Sequence, residues 1–243
     1  MYFYQRKLIF MPPADILTVP PAYSIYKSLP VDVAGVGRIV DWYVPASDSG
    51  KPTIVFFHGN ASDRTDFMQA GERFHKIGWG VLLTSYPGYS GNPGNPTEST
   101  LMQSARASLD ALGHPAGGVL LWGHSLGSGV AARMASEGRG EALLLEAPYT
   151  SVVDVAAAIY PIFPARLIVK DQFDTLSLVP HIAVPVMIIH GDGDPVVPFA
   201  MGKELAEHFG NRAVFVPIPH FASHFPHADR DLNEMVDHWW LRH

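Results

Sequence analysis

The sequence predicts an α/β fold with a mostly parallel central sheet that helices cover on both faces. Strand-like runs alternate with helical patterns along the chain, which is typical of parallel strands joined by helices. Several strand candidates, such as 53–57, are apolar throughout, as expected where both faces of a strand are buried. The 243 residues contain no internal repeat, low-complexity tract or linker, so a single domain spanning 1–243 is expected.

The predicted elements follow one another in chain order. Apolar or alternating runs predict strands at 38–44, 53–57, 80–84, 118–122, 142–145, 185–189 and 213–216. Helical spacing of apolar residues predicts helices at 98–112, around 130–135 and from about 229 to 240. The proline-containing stretch 148–184 interrupts this alternation. It predicts a short helical flap over the carboxyl end of the sheet, where ligands bind in such folds.

Composition and charge exclude several classes of protein. A chain that is 47% apolar and 16% charged is globular, and its net charge of -6 makes nucleic acid an unexpected partner. The absence of cysteine excludes disulfides and thiolate metal sites. No apolar stretch is long enough to span a membrane, and Arg6 and Lys7 stand where a secretory signal has its apolar core, so a cytoplasmic location is expected. The aromatic residues next to these charges are compatible with contact to a membrane surface. We expect instead that this N-terminal segment forms an edge strand that packs on the core.

A serine stands at the apex of a predicted strand–turn–helix. The run Gly123-His124-Ser125-Leu126-Gly127 lies between an apolar strand and a helix-forming segment. The sharp turn of such a nucleophile elbow requires neighbours without bulky side chains, which glycine supplies. It also exposes the serine hydroxyl beside the positive end of a helix. Ser125 is therefore the candidate nucleophile.

Five sequence blocks carry a resemblance to a known family. The chain resembles the α/β-hydrolase superfamily, and within it the small serine hydrolases of the BEM46-like, ABHD13/ABHD17-type group. The blocks are 57–61 (FHGNA), 86–89 (YPGY), 123–127 (GHSLG), 145–151 (LEAPYTS) and 190–198 (HGDGDPVVP). Two residues depart from the family pattern. Ser85 replaces the aspartate that commonly precedes the second block, and Ser90 replaces the glycine that follows it.

The candidate acid comes from the region after the strand 185–189. A serine nucleophile needs a base, and the base needs a carboxylate that orients it. In this fold the chain order is serine, acid, histidine. The motif position in the last block selects Asp194. Asp192 is the alternative, with an ordinary turn as its structural interpretation, and Glu146 is a further candidate that is more simply explained as an anchor for the loop at Pro148.

The candidate base is one of three histidines after the last strand. The resemblance implies small residues followed by histidine, and Ala222-Ser223-His224 fits this pattern. His220 is the alternative, whereas His227 is expected to begin the last helix and face solvent. The spacing of these three histidines is also compatible with zinc, but no metal is expected, because a zinc site usually recruits further ligands. His58 and His190 are interpreted as structural, and His124 as packing beside the serine.

The remaining site residues are predicted from what acyl transfer requires. The oxyanion needs two backbone N–H donors, which we expect from Leu126 and from Asn60, although Asn60 is also a plausible helix cap. Apolar residues of the flap and its surroundings are expected to line an acyl pocket or to form the flap's own small core. They are Tyr160, Ile162, Phe163, Leu167, Phe199 and Phe221.

The sequence therefore predicts an acyl hydrolase that acts on a small-molecule ester and needs no cofactor. A carboxylesterase for short-chain esters, with a Ser125–Asp194–His224 triad, is the first hypothesis. A thioesterase, a protein deacylase or a peptidase on the same fold is the alternative within enzymes. A binding protein without catalytic activity is the alternative outside them, because a fold does not prove activity. No particular oligomeric state is predicted.

Overall fold

An eight-stranded sheet organises the molecule. The computed structural model describes residue 6 and residues 9–13, 18–160, 164–229 and 232–243, without the side chains of residues 167, 168, 228 and 229. The strands are β1 (Lys27–Val33), β2 (Gly37–Val44), β3 (Thr53–Phe57), β4 (Gly80–Leu83), β5 (Val119–His124), β6 (Ala142–Glu146), β7 (Val186–Gly191) and β8 (Ala213–Ile218). Their order across the sheet is β1-β2-β4-β3-β5-β6-β7-β8.

The sheet is parallel from β4 to β8 and antiparallel at one edge. β2 pairs antiparallel with both β1 and β4, whereas β3, β4, β5, β6, β7 and β8 pair in parallel. All the parallel strands therefore end at the same edge. The chain segments that follow these ends are the ones that carry the candidate site residues.

Helices connect the parallel strands on both faces. They are α1 (Met68–Lys76), α2 (Glu98–Leu112), α3 (Leu126–Ser136), α4 (Val152–Ile159), α5 (Ala165–Ile168), α6 (Phe199–Phe209), α7 (Pro226–Asp229) and α8 (Asn233–Trp240). Short 3-10 helices lie at Pro21–Tyr23, Arg64–Phe67, Leu176–His181 and Gly210–Arg212. A capping box begins α2, in which the Thr97 hydroxyl accepts from the Thr100 N–H at 3.0 Å, and Gly113 ends it with φ +74°.

Two apolar cores lie on opposite faces of the sheet. Along β5, Leu121 packs into the core under α2, α3 and α6, and Leu120 and Trp122 pack into the core under α1 and α8. Every residue of β5 is buried. This two-sided burial explains why the central strands read as uninterrupted apolar runs.

The mostly parallel sheet with helices on both faces is confirmed, and the prediction missed some elements. β1 was not predicted, because Pro30 and the charged residues of this strand weaken its apolar pattern. An edge strand tolerates both. The last helix was predicted to run from about 229 to 240, but the structure has two helices there. α7 ends at Asp229 and α8 begins at Asn233, and residues 230–231 lie outside the described residues.

The N-terminal edge strand is not found where the chain is described. Residues 1–5 and 7–8 lie outside the described residues, whereas Arg6 and Ile9 are helical, and the Phe10 N–H donates to the Arg6 carbonyl at 2.8 Å. The stretch 148–184, which is called the flap below, contains α4, α5 and the 3-10 helix Leu176–His181. Within the described part of the chain, no helix is long and apolar enough to cross a bilayer.

Candidate active site

The predicted site residues all follow the carboxyl ends of parallel strands. Asn60 follows β3, Ser125 follows β5, Asp194 follows β7 and His224 follows β8. In open α/β sheets, ligands bind outside this edge. The topology thus brings residues that are far apart in sequence to one side of the molecule.

Ser125 occupies a strained turn between β5 and α3. Its φ of 49° and ψ of -119° lie outside the regions that most residues adopt. The flanking glycines are required for space. A Cβ at Gly127 would overlap the Phe57 carbonyl, and one at Gly123 would lie 2.6 Å from the Ser128 Cα. The Ser125 N–H donates to the Glu146 carbonyl at 2.9 Å, which ties this turn to the end of β6.

Asp194 and His224 form a direct pair. His224 Nδ1 donates to Asp194 Oδ2 at 2.7 Å, and the second carboxylate oxygen accepts from the N–H groups of Val196 and Val197 at 2.7 and 3.0 Å. His190 Nε2 lies 3.6 Å from the same carboxylate. Burial alone would raise the pKa of Asp194, but the two histidines and the Val197 N–H outweigh it and hold the pKa below its ordinary value. A carboxylate that stays ionised accepts the hydrogen bond from Nδ1 and so keeps the ring proton there. His224 Nε2 then presents its lone pair.

The alternative residues for this pair lie elsewhere. Asp192 is exposed and accepts from the Phe221 N–H at 3.3 Å, as a turn carboxylate does. His220 is exposed and has a positive φ of 55°. His124 donates from Nε2 to the His224 carbonyl at 2.8 Å, so it fixes the His224 loop beside Ser125. Burial lowers the pKa of His124 to about 3, which keeps its ring neutral.

His227 does not face solvent, and here the sequence-based expectation is wrong. It lies in α7 with about 1% of its surface exposed and stacks on Phe67 at 4.1 Å between ring centroids. Its N–H and Nδ1 both donate to the Glu146 carboxylate, at 2.6 and 2.9 Å, and Trp122 Nε1 donates to the same group at 3.0 Å. The Glu146 side chain therefore anchors α7 and β5, rather than the loop at Pro148.

These donors stabilise the ionised form of the Glu146 carboxyl group. Burial by itself would raise the pKa of this carboxyl, but the charge and hydrogen bonds of His227, with His124 nearby, lower it to about 2. This buried pair lies directly beneath the Ser125 turn and the His224 loop. It supports both without lining the pocket.

We expect Glu146→Ala to lower the free energy of unfolding by about 3–5 kcal/mol, because it leaves three buried donors without their acceptor. Since the pKa of Glu146 is lowered in the folded state, its contribution is complete above the ordinary value near ~4.3 and is lost as the pH falls toward 2. Urea unfolding at pH 7 and at acid pH measures both effects. Glu137→Ala, which removes a partly exposed pair with Arg106, is the control and should cost only about 0–1 kcal/mol. Equal losses for the two variants would contradict the structural role of Glu146.

The loop after β3 approaches Ser125 closely. A Cβ at Gly59 would lie 3.2 Å from the Ser125 Cβ and 2.9 Å from His124 Nδ1, so only glycine fits there without displacement. Asn60 follows, and its Oδ1 accepts from the N–H groups of Met11 and Ala61 and from the Tyr89 hydroxyl, at 2.7, 2.9 and 3.2 Å. Asn60 does not cap the next helical turn. Asp63 does so, accepting from the Thr65 N–H at 2.7 Å.

The two departures from the family pattern are accommodated by neighbouring residues. Ser85 donates its N–H to the buried Asp41 carboxylate at 2.8 Å, and its hydroxyl accepts from Asn92 Nδ2 at 2.8 Å. Asn92 Oδ1 in turn accepts from the Val40 N–H at 2.9 Å. Ser90 adopts a φ of 52°, the conformation that glycine would supply. Asp41 on β2 thus provides a carboxylate beside this loop although Ser85 is not acidic.

An apolar cavity of about 500 Å³ opens at Ser125. Leu126, Asn60 and Tyr149 lie around the serine, and the walls come from the flap, the N-terminal segment and the loop after β7. These wall residues are Ile9, Met11, Val152, Val155, Ala156, Ile159, Tyr160, Val169, Val196 and Val197.

The predicted pocket lining is correct only in part. Tyr160 lines the cavity, but Phe199 packs instead on His190 and Phe215, and Phe221 packs in the core under α1 and α8. Ile162 and Phe163 lie outside the described residues, as does the side chain of Leu167. Among the described residues, no three histidine, aspartate or glutamate side chains gather as metal ligands would.

The fold and the sequence together define the class of protein. A model of the alpha/beta hydrolase family matches residues 54–175, and the chain belongs to this family. An uncharacterized protein of Mycobacterium tuberculosis is 33% identical over 224 residues, covering 88% of this chain and 79% of that protein. The lysophosphatidylserine lipase ABHD12 of Xenopus tropicalis is 30% identical over 198 residues, covering 70% of this chain and 50% of the lipase. The chain thus spans half the length of that lipase.

Solved structures of other proteins have the same fold as this chain. An esterase of Pyrococcus furiosus superposes with a TM-score of 0.73 at 18% identity, covering 96% of this chain and 97% of the esterase. At this identity the likeness bears on the fold alone. The molecule is therefore an α/β hydrolase with esterase-like structural neighbours.

Proposed function

We propose that this hydrolase is a serine-dependent carboxylesterase in which Ser125 is the nucleophile, His224 the base and Asp194 the acid that orients it. The observation that carries this proposal is the 2.7 Å hydrogen bond between His224 and Asp194, at the sheet edge where Ser125 opens into an apolar cavity. We also propose, on the five sequence blocks, that the chain falls within the BEM46-like group.

The reaction follows from these positions. Ser125 Oγ attacks the ester carbonyl carbon while its proton passes to His224 Nε2, and Asp194 stabilises the resulting imidazolium. The N–H groups of Leu126 and Asn60 donate to the oxyanion; the Leu126 N–H is in the first turn of α3, where no helical carbonyl accepts from it. Collapse expels the alcohol, which takes the proton from His224. Water then attacks the acyl-enzyme with His224 as the base, and releases the acid and free Ser125.

A fluorophosphonate probe separates a hydrolase from a binding protein that shares the fold. The activated serine should form one covalent adduct, which peptide mass analysis should place on Ser125. Wild-type protein that stays unlabelled at high probe concentration would contradict the proposal.

We expect a preference for short acyl chains. Each buried methylene of the acyl group contributes about 0.8 kcal/mol, so kcat/KM should rise about fourfold per methylene only while the pocket covers the chain. Part of the cavity wall is made of the flap residues Ile159 and Tyr160, which are themselves 53% and 58% exposed. Chains that pass them gain little further burial. Measuring kcat/KM for nitrophenyl esters from acetate to palmitate should show a maximum at short chains.

A lipid ester is the second candidate substrate. The relatives named as lysophosphatidylserine lipases favour it, and so does the largely apolar wall of the cavity. A maximum at the longest chains in the same series would replace the short-chain proposal with this one, or with a protein deacylase.

A further inference from the structure

The N-terminal segment crosses the candidate site and touches both of its sides. We define the strap as residues 9–13 together with Arg6. Arg6 Nε donates to Asp171 at 2.8 Å, and the same carboxylate accepts from the Glu98 N–H at the start of α2. Phe10 is buried and contacts Phe173 edge-to-face at 6.3 Å. The strap is thus fixed at one end to the base of the flap.

The other end of the strap reaches the loop after β3. The Met11 N–H donates to Asn60 Oδ1 at 2.7 Å, the shortest of the three hydrogen bonds that this oxygen accepts from described residues. Pro12 and Pro13 follow, and they restrict the backbone on the carboxyl side of Met11. Ile9 and Met11 also line the cavity.

We propose that Met11 is a positioning residue for the oxyanion hole: its N–H orients Asn60, so that the Asn60 N–H is aimed at the developing oxyanion, while its side chain forms one wall of the acyl pocket. The inference rests on the proposed function. Asn60 Oδ1 accepts from the Met11 N–H and also from the Ala61 N–H of its own loop, so the contact with Met11 restrains the loop backbone that carries the Asn60 N–H. An oxyanion donor is effective only where it is already in place before charge develops.

The test separates the N–H of Met11 from its side chain. Met11→Pro removes the donor, and Met11→Ala keeps it. On nitrophenyl acetate, which has no long acyl chain to pack on the Met11 side chain, Met11→Pro should lower kcat by about tenfold. This is less than the loss of about 100-fold or more that follows removal of an oxyanion donor. Met11→Ala should act mainly on KM for longer esters. Thr18→Pro, a proline at an exposed position outside the site, should leave kcat unchanged.

A double-mutant cycle keeps the test decisive if Met11→Pro melts at a lower temperature. Asn60→Ala removes the acceptor and retains the backbone N–H of that residue. If Met11 acts through Asn60, the double variant should be no slower than the slower single variant. Additive losses, a kcat for Met11→Pro within twofold of wild type, or equal effects of Met11→Pro and Met11→Ala on acetate would overturn the inference. Wild-type protein without esterase activity would instead overturn the proposed function.

Discussion

Ser125→Ala is expected to abolish ester hydrolysis and to leave the fold intact. The substitution removes the attacking oxygen, and the loss of a nucleophile that acts together with its base costs about 10⁴–10⁶ in kcat. The backbone is not expected to move, because the strain at φ 49° is imposed by the packing of Gly123 and Gly127 rather than by the serine side chain. Initial rates on nitrophenyl acetate, with circular dichroism to check folding, measure both parts of the prediction.

Ser128→Ala provides a matched control for this experiment. Ser128 is a buried serine in the first turn of α3, and it lies outside the cavity lining. Its replacement removes the same hydroxyl group three residues further along the chain and should preserve turnover within a few-fold. A Ser125→Ala protein that retained a tenth of wild-type turnover would show that another group is the nucleophile.

The fold was largely predictable because its signals are local. A strand buried on both faces has to be apolar throughout, as Thr53–Phe57 is, and such a run is visible without any tertiary information. The Ser125 turn is visible for the same reason, since its glycines are required by contacts between immediate neighbours. β1 was missed because its burial depends on pairing with β2 and not on its own composition.

The side-chain contacts were harder to predict, because they connect residues that are far apart in the sequence. His227 and Glu146 are 81 positions apart, and nothing in either local sequence distinguishes a buried hydrogen-bonded pair from a solvated helix start and a loop anchor. The strap illustrates the same limit. Its contact with Asn60 spans 49 positions and uses a backbone N–H, which leaves no trace in residue identity. Acidic residues that follow strands had several candidate roles. The motif position favoured Asp194 over Asp192, and the structure shows that Asp194 is the one that accepts from His224.

His224→Ala is expected to be as damaging as Ser125→Ala, with a loss of about 10⁴–10⁶ in kcat, because nucleophile and base act as one unit. The physical reason is that, among the described histidines after β8, His224 is the one that donates to Asp194. In the proposed mechanism its Nε2 then takes the serine proton. Asp194→Asn should be slow as well, because the amide favours the wrong tautomer of the imidazole. Steady-state rates on nitrophenyl acetate compare the three variants directly.

Two further variants decide whether His224 is the base. His220→Ala replaces an exposed histidine four positions away, so its kcat should stay within a few-fold of wild type. The double variant Ser125→Ala with His224→Ala should be no slower than either single variant, since each already removes the whole unit. If instead His220→Ala gave the large loss and His224→Ala the small one, His220 would be the base. The 2.7 Å contact between His224 and Asp194 would then be a structural hydrogen bond, as the contact of His227 with Glu146 already is.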